Sequence, residues 1–417
     1  MNEEIHLNPT QHDAVTTIYG PALVIAGAGS GKTRVVTSRI VYLIENGIPP
    51  HSILAVTFTN KAAAEMRERV YAMTQHRILI CTFHSLGVRI LREAIDALGY
   101  HRNFTIYDEE DVEKLLKNCL LELNIKKENT STFRRLISQA KNALQDPNEL
   151  LPHVEDNPLL QELPKVYSLY QHKLKEYQAV DFDDLLFLTV KLWHERPDIL
   201  LYYQERWQYI LIDEYQDTNH VQYTLTRLLA SVRQNLFVVG DPDQSIYSWR
   251  GANIENILNF ERDYPGAKVI RLEQNYRSST NILQVANALI SYNEGRYEKQ
   301  LWSKLGPGSK IKLFIGDDER QEAQFIASEI NHFSTQQQVA LNDIVVFYRT
   351  NAQSRILEDS LLHHNLSYTI VGGISFYQRK EIKDILAFLR ISQSTTDYIS
   401  FTRTINLPKR GLGEATI

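Results

Sequence analysis

The run Ala26-Gly27-Ala28-Gly29-Ser30-Gly31-Lys32-Thr33 combines small flexible residues, an ammonium and a hydroxyl at the spacing that phosphate binding requires. An apolar run precedes it and a helical pattern follows, so backbone N–H groups at a helix N-terminus would cradle the phosphates. Lys32 would then reach the β and γ oxygens, and the Thr33 hydroxyl would ligate Mg²⁺. The first position of the G-x-x-x-x-G-K-[ST] pattern is Ala26, a small residue that still permits the turn. A merely flexible glycine loop would not need the strand, the Lys-Thr pair and the helix together.

Ile210-Leu211-Ile212 leads into Asp213 and Glu214, an apolar strand ending in adjacent carboxylates. Alone, such a pair is usually a solvated turn. Beside a phosphate loop it has the form of the other half of a nucleotide-hydrolysing site, with Asp213 holding Mg²⁺ and Glu214 polarising the attacking water. Val238-Val239-Gly240-Asp241-Pro242-Asp243-Gln244 repeats the device, which puts Gln244 where a γ-phosphate would lie. Tyr247, Trp249 and Arg250 follow at once, a loop suited to stacking single-stranded bases, although a lone Trp is otherwise most often core.

These groups need a sheet to carry them. Ala22–Ala26, Ile53–Phe58, Ile78–Thr82, Tyr209–Asp213, Leu236–Asp241 and Lys268–Leu272 have the short apolar signature of strands buried on both faces. Helical stretches lie between most of them, and this alternation predicts a doubly wound parallel sheet of the α/β class. Residues 92–205 interrupt it with amphipathic helices such as Val112-Leu115-Leu116-Cys119-Leu120 and Leu185-Leu186-Leu188-Leu192, and with turns near Pro147, Pro152 and Pro158. A helix from Gly31 should end at Asn46-Gly47. After Arg277, strands are expected at Ile311–Ile315, Asp343–Tyr348 and Ser367–Val371, with helices around 321–333, 352–364 and 380–389.

At 417 residues the chain exceeds the ~250–300 that one core supports, so two or more domains are expected. A composition 43% hydrophobic and 23% charged is that of a folded soluble protein, and no stretch nears the ~20 apolar residues of a membrane span. Cys81 and Cys119 cannot form a disulfide framework or a zinc site; with no signal peptide at the N-terminus, a reducing cytoplasmic setting is the expectation. A net charge of −5 lacks the usual basic footprint of nucleic-acid binding, so any such contact must come from a local groove.

In order and content these segments resemble the UvrD/Rep helicases of superfamily 1, from residue 7 to 417. Leu7-Asn8-Pro9-Thr10-Gln11 is similar to the adenine-reading Q motif, which implies that Gln11 bonds the base. Ala55 to Ala63 resembles motif Ia, with Phe58 and Asn60 toward DNA, and Thr82-Phe83-His84 resembles the next DNA-contacting segment. Asp213-Glu214-Tyr215-Gln216-Asp217 matches motif II, and Gly240–Gly251 matches motif III, linking Gln244 at ATP to Tyr247, Trp249 and Arg250 at DNA. Gln274-Asn275-Tyr276-Arg277-Ser278 matches motif IV, implying that Tyr276 stacks on adenine and Arg277 acts as an arginine finger. The implied nucleotide set is Gln11, Ala26, Gly27, Ala28, Gly29, Ser30, Gly31, Lys32, Thr33, Arg34, Tyr276 and Arg277, with Thr33 and Asp213 on the metal.

The resemblance implies two RecA-like domains: the first at 1–91 and 206–273, with a helical insertion at 92–205, and a partial second at 274–376. A second helical subdomain would start at 377–417, entered through Gly372-Gly373-Ile374-Ser375-Phe376 and Arg379 to Asp384 and continuing through Arg403 to Thr416. Motifs V and VI and a further ATP-contacting arginine are not found, so the expectation is that the chain stops before the motor is complete. Val180 to Leu185 also resembles a family segment, but acids at a helix start explain it equally and it receives no site. The function implied is an ATP- and Mg²⁺-dependent translocase and helicase on single-stranded and duplex DNA, of 3′-to-5′ polarity, with repair or replication proteins as partners. The rivals are a non-motor ATP- and DNA-binding module, and another P-loop enzyme such as a nucleotide kinase or transporter ATPase. The latter is disfavoured, because the chain has no LSGGQ-like signature and does carry Gln244 and Arg277 in their motifs.

Overall fold

Apolar runs of four or five residues, bounded by polar turns, form strands buried over nearly their whole length. The computed structural model describes residues 6–150, 158–293, 297–371, 380–394 and 396–412. Its strands are β1 (Ala22–Ala26), β2 (Ile53–Thr57), β3 (Leu79–Thr82), β4 (Thr105–Ile106), β5 (Ala179–Val180), β6 (Tyr209–Ile212), β7 (Leu236–Gly240), β8 (Lys268–Leu272), β9 (Gln274–Asn275) and β10 (Trp302–Ser303). The helices of the first part of the chain are α1 (Pro9–Thr16), α2 (Lys32–Glu45), α3 (Asn60–Thr74), α4 (Phe83–Ala94), α5 (Glu109–Glu122), α6 (Thr130–Asn142), α7 (Pro158–Glu176), α8 (Asp184–Glu195) and α9 (Pro197–Arg206). They are followed by α10 (His220–Ala230), α11 (Glu255–Leu258), α12 (Phe260–Asp263), α13 (Thr280–Ile290), α14 (Glu319–Gln336), α15 (Asn351–His363), α16 (Lys380–Gln393) and α17 (Tyr398–Thr404).

The expected sheet is present: six strands in the order β3-β2-β6-β7-β1-β8, all parallel. Alternate side chains face opposite layers. Leu23, Ile25, Leu54 and Val56 enter one apolar cluster, while Ala22, Val24, Ala26, Ile53 and Ala55 enter the other. Because the strands are parallel, the carboxyl ends of β1, β6 and β7, adjacent in the strand order, lie at one edge, where ligands bind in such sheets.

The described residues between β3 and β6 are mainly helical, as their periodicity predicts, with the short parallel pair β4–β5 among them. Leu115, Leu116, Cys119 and Leu120 of α5 join Phe133, Tyr170 and Leu174 in a separate core, to which Ile399 of α17 adds. Leu185, Leu186, Leu188 and Leu192 of α8 instead pack into the cluster on the sheet face. Pro158 opens α7 and Pro147 lies in a turn, while Pro152 is outside the described residues.

The chain divides into two compact units, residues 1–308 with 386–417, and residues 309–385. In the smaller unit α14 and α15 pack around Ala327, Ile330 and Leu366, and Phe314 stacks on Phe325 at 4.1 Å. The strands expected at Ile311–Ile315, Asp343–Tyr348 and Ser367–Val371 are not formed among the described residues. A strand requires a lateral hydrogen-bonding neighbour, and these segments have no ladder; Leu313, Phe347 and Val371 are 84%, 89% and 91% exposed. The segment 372–376 and Arg379 lie outside the described residues, as do residues 413–416.

Candidate nucleotide site and adjoining aromatic surface

The phosphate loop is held from within. Gly27 N–H donates to Leu272 O at 3.2 Å, and Ser30 donates to Gly27 O through its N–H (3.2 Å) and its hydroxyl (2.7 Å). Gly29, at φ +67°, lies against motif-IV side chains: a Cβ there would fall 2.6 Å from Asn275 Nδ2 and 2.8 Å from Arg277 Cβ. Helix α2 begins at Lys32 with Gly31 as its N-cap and no side-chain cap, so its first N–H groups face the loop. Ala26 is fully buried at the end of β1, Thr33 is half-buried and Arg34 exposed.

Lys32 Nζ lies 3.0 Å from Glu214 Oε2, which brings the phosphate loop and the acidic strand end together. Asp213 is buried, and its N–H donates to Val56 O of β2. Burial and the Glu214 charge push its carboxyl up to about 7, against the pull of Lys32. Glu214 is in the left-handed region at φ 53°, a strained conformation that the surrounding contacts must hold. Gln216 supplies one such contact: its Nε2 donates to Glu214 Oε2 at 2.9 Å, and its Oε1 accepts from Asp241 N–H at 2.9 Å. Gln216 thus ties the ends of β6 and β7 together, a role that only its place inside motif II hinted at. Gln244 Nε2 donates to Asp241 Oδ2.

Gln11 is buried; its Nε2 donates to Ser30 O at 2.9 Å and its Oε1 accepts from Asn8 N–H, forming the capping box of α1. Arg39 of α2 holds the other end of α1 through the carbonyls of Ala14 and Thr17, with its guanidinium 4.3 Å over the Phe237 ring. Asn8 Nδ2 donates to Tyr276 Oη at 2.9 Å. Asn275, not singled out in the sequence, is buried: it donates to Ala28 O at 2.6 Å and accepts from the N–H groups of Arg277 (2.8 Å) and Ser278 (2.7 Å). Tyr276 and Arg277 are thereby fixed beside the loop with exposed side chains.

On the neighbouring surface Phe58 stacks on Tyr247 with ring centroids 5.6 Å apart and planes 15° apart, and Tyr247 lies 6.3 Å from Trp249. Trp249 is 70% exposed, which removes the core alternative for it. Asn60 is exposed in the first turn of α3, capped by Thr59. His84, whose imidazole burial pulls below its usual range, lies 6.0 Å from the Phe182 ring. Phe182 is 55% exposed and belongs to the segment that received no site; its exposure is visible only in three dimensions. The Arg250 side chain lies outside the described residues.

A parallel sheet delivering a phosphate loop, a carboxylate pair and a Gln-bearing turn to one edge defines a P-loop nucleotide-binding domain. Residues 7–265 match the UvrD/REP helicase N-terminal domain, and residues 270–417 match the UvrD-like helicase C-terminal domain. The chain belongs to the UvrD/Rep helicase family. It is 51% identical over 417 residues to the ATP-dependent DNA helicase PcrA of Bacillus subtilis, covering 99% of this chain and 56% of that protein. The PcrA proteins of Leuconostoc citreum (47%, 99% and 56%) and Staphylococcus aureus (49%, 99% and 57%) are similar in the same way. The chain therefore spans a little over half the length of these relatives. Among the described residues no helix is long and apolar enough to cross a membrane.

Proposed function

We propose that the chain provides the ATP site and part of the DNA track of an ATP-dependent DNA helicase, working 3′-to-5′ on single strands in repair or replication in the cytoplasm. The observation that carries this reading is that one turn, from Asp241 through Gln244 to Trp249, runs from the nucleotide site into an exposed aromatic row. Single-stranded bases stack on such rings without regard to sequence. We assign base stacking to Phe58, Tyr247 and Trp249, supported by Phe182, with Asn60, His84 and Arg250 contacting the strand.

The residues present fit Mg²⁺ with ATP: Lys32 pairs with Glu214, and burial together with the Glu214 charge raises the adjacent Asp213, so a further cation is favoured there. Thr33 and Asp213 would hold Mg²⁺, which when bound neutralises charge on the β and γ oxygens. Lys32 exchanges Glu214 for phosphate, and Glu214 is then free to accept the proton of the attacking water. Gln11 and Tyr276 border the base, Gln244 faces the γ-phosphate and Arg277 neutralises charge developing on it.

ATP hydrolysis by the chain, measured with and without a dT oligonucleotide, tests the reading. Stimulation by the oligonucleotide, together with loss of nucleotide affinity in Lys32→Ala, is expected. Unchanged affinity in that variant refutes the site, and binding without stimulation would leave a non-motor ATP- and DNA-binding module.

A further inference from the structure

A segment that no motif reading singled out crosses the nucleotide site. Of the described residues leading into β10, several are anchored. Tyr297 Oη donates to Leu258 O at 3.3 Å, Gln300 N–H donates to Glu273 Oε1 at 2.9 Å, and Asn287 of α13 donates to Leu301 O at 2.9 Å. Trp302 pairs with Gln274 in the β9–β10 ladder. Leu301 lies so close to the phosphate loop that a side chain on Gly27 would collide with it. Between these anchors Lys299 is driven inward; its side chain is only 5% exposed.

The Lys299 ammonium pairs with Asp241 and lies 3.0 Å from Asp243 Oδ2. Both carboxylates are nearly buried, at 2% and 10% side-chain exposure, so they require a cation nearby. Asp241 is also the acceptor that holds Gln244. Burial and the Lys32 ammonium pull Lys299 down to about 7. Lys299 thus lies within the field of the phosphate-binding lysine, and phosphates arriving at Lys32 would attract the same ammonium that clamps the turn.

We infer that Lys299 is a positioning residue: by clamping Asp241 and Asp243 it fixes the start of the turn that carries Gln244 and leads on to the Tyr247–Trp249 rings, and so sets how strongly nucleotide and single-stranded DNA alter each other's binding. This rests on the ATP- and DNA-binding reading above. Such coupling is reciprocal, typically 5- to 150-fold, and is lost when the element joining two sites no longer has a defined position.

The test measures affinity of the full chain for a fluorescein-labelled dT oligonucleotide with and without Mg²⁺ and a non-hydrolysable ATP analogue. It uses Lys299→Met, Lys299→Gln and Lys299→Arg, with circular dichroism melting as the check on folding. The coupling factor should fall by about fivefold or more toward unity in Lys299→Met and Lys299→Gln. That fall should exceed the change in either affinity measured alone, and Lys299→Arg should restore most of it. Unaltered coupling in a folded Met or Gln variant overturns the inference, as does an unmodified chain that binds both ligands without coupling. If Met and Gln both fail to fold, Lys299 serves the fold and the inference is overturned. An unmodified chain that does not bind the analogue overturns the ATP-site reading instead.

Discussion

Gly29→Ala probes the joint between the phosphate loop and motif IV, and its size follows from two contributions. At φ +67° an added Cβ costs about 1–2 kcal/mol in backbone strain. The same Cβ would fall 2.6 Å from Asn275 Nδ2, which holds Ala28 O, while Asn275 Oδ1 orders the N–H groups of Arg277 and Ser278. Displacing Asn275 gives up bonds worth about 1 kcal/mol each. The chain can retain the loop and lose stability, or release the loop and lose the N–H array that faces phosphate. In either case losses in unfolding and in ATP binding should total about 3 kcal/mol, equivalent to roughly a hundredfold in affinity if all of it appears there. Urea unfolding and fluorescent-nucleotide titration measure the two parts. Gly20→Ala is the control: φ is +78°, but nothing lies within 4 Å, so only the strain should appear and only as stability. A combined loss no larger than in Gly20→Ala would refute the packing of Gly29 on Asn275.

Trp249→Ala should weaken binding of a dT oligonucleotide by roughly tenfold, from ~1–3 kcal/mol per stacked base, while equal anisotropy titrations would remove Trp249 from the DNA surface. Lys141, fully buried and 2.6 and 2.8 Å from Asp181 and Asp184, leaves two buried carboxylates when replaced by Met. A loss of about 3–5 kcal/mol in urea unfolding is expected, with partial recovery on adding Asp184→Asn; a loss under about 1 kcal/mol would contradict the geometry. Asp213 should give opposed pH slopes, because its folded carboxyl is raised from 3.8 to about 7. The protonated form is favoured in the fold, so its stabilising contribution is full below about pH 4 and is lost as pH rises through about 7. Mg²⁺-dependent nucleotide affinity needs the carboxylate and should rise between about pH 6 and 8. Asp213→Asn should flatten both profiles, and unchanged slopes would place the titration elsewhere.

What could be foreseen follows the range of the forces involved. The central strands of the main sheet were legible because a segment buried on both faces must itself be apolar, as in Ala22–Ala26; the edge strand Lys268–Leu272 also lies at its expected bounds although only Ile270 and Leu272 are buried, and the phosphate loop needs only its own residues and the adjacent strand and helix. Ile311–Ile315 and Ser367–Val371 have comparable composition, but strand formation there depends on neighbours that composition does not reveal, and neither segment has a ladder. Site residues divide in the same way. Lys32 and Asp213 announce themselves because chemistry constrains their immediate neighbours. Gln216, Asn275 and Lys299 act through partners 25, 247 and 58 residues away, and polar side chains reveal such roles only once the fold has removed water from around them. Their burial is itself the argument for their importance: a buried amide or ammonium persists only where its bonds are satisfied, and here those bonds run between strand ends and loops that border the candidate nucleotide site. Buried polar residues that bond across from one segment to another, whether inside a motif as Gln216 and Asn275 are or between motifs as Lys299 is, are therefore where communication between the two candidate surfaces should be sought.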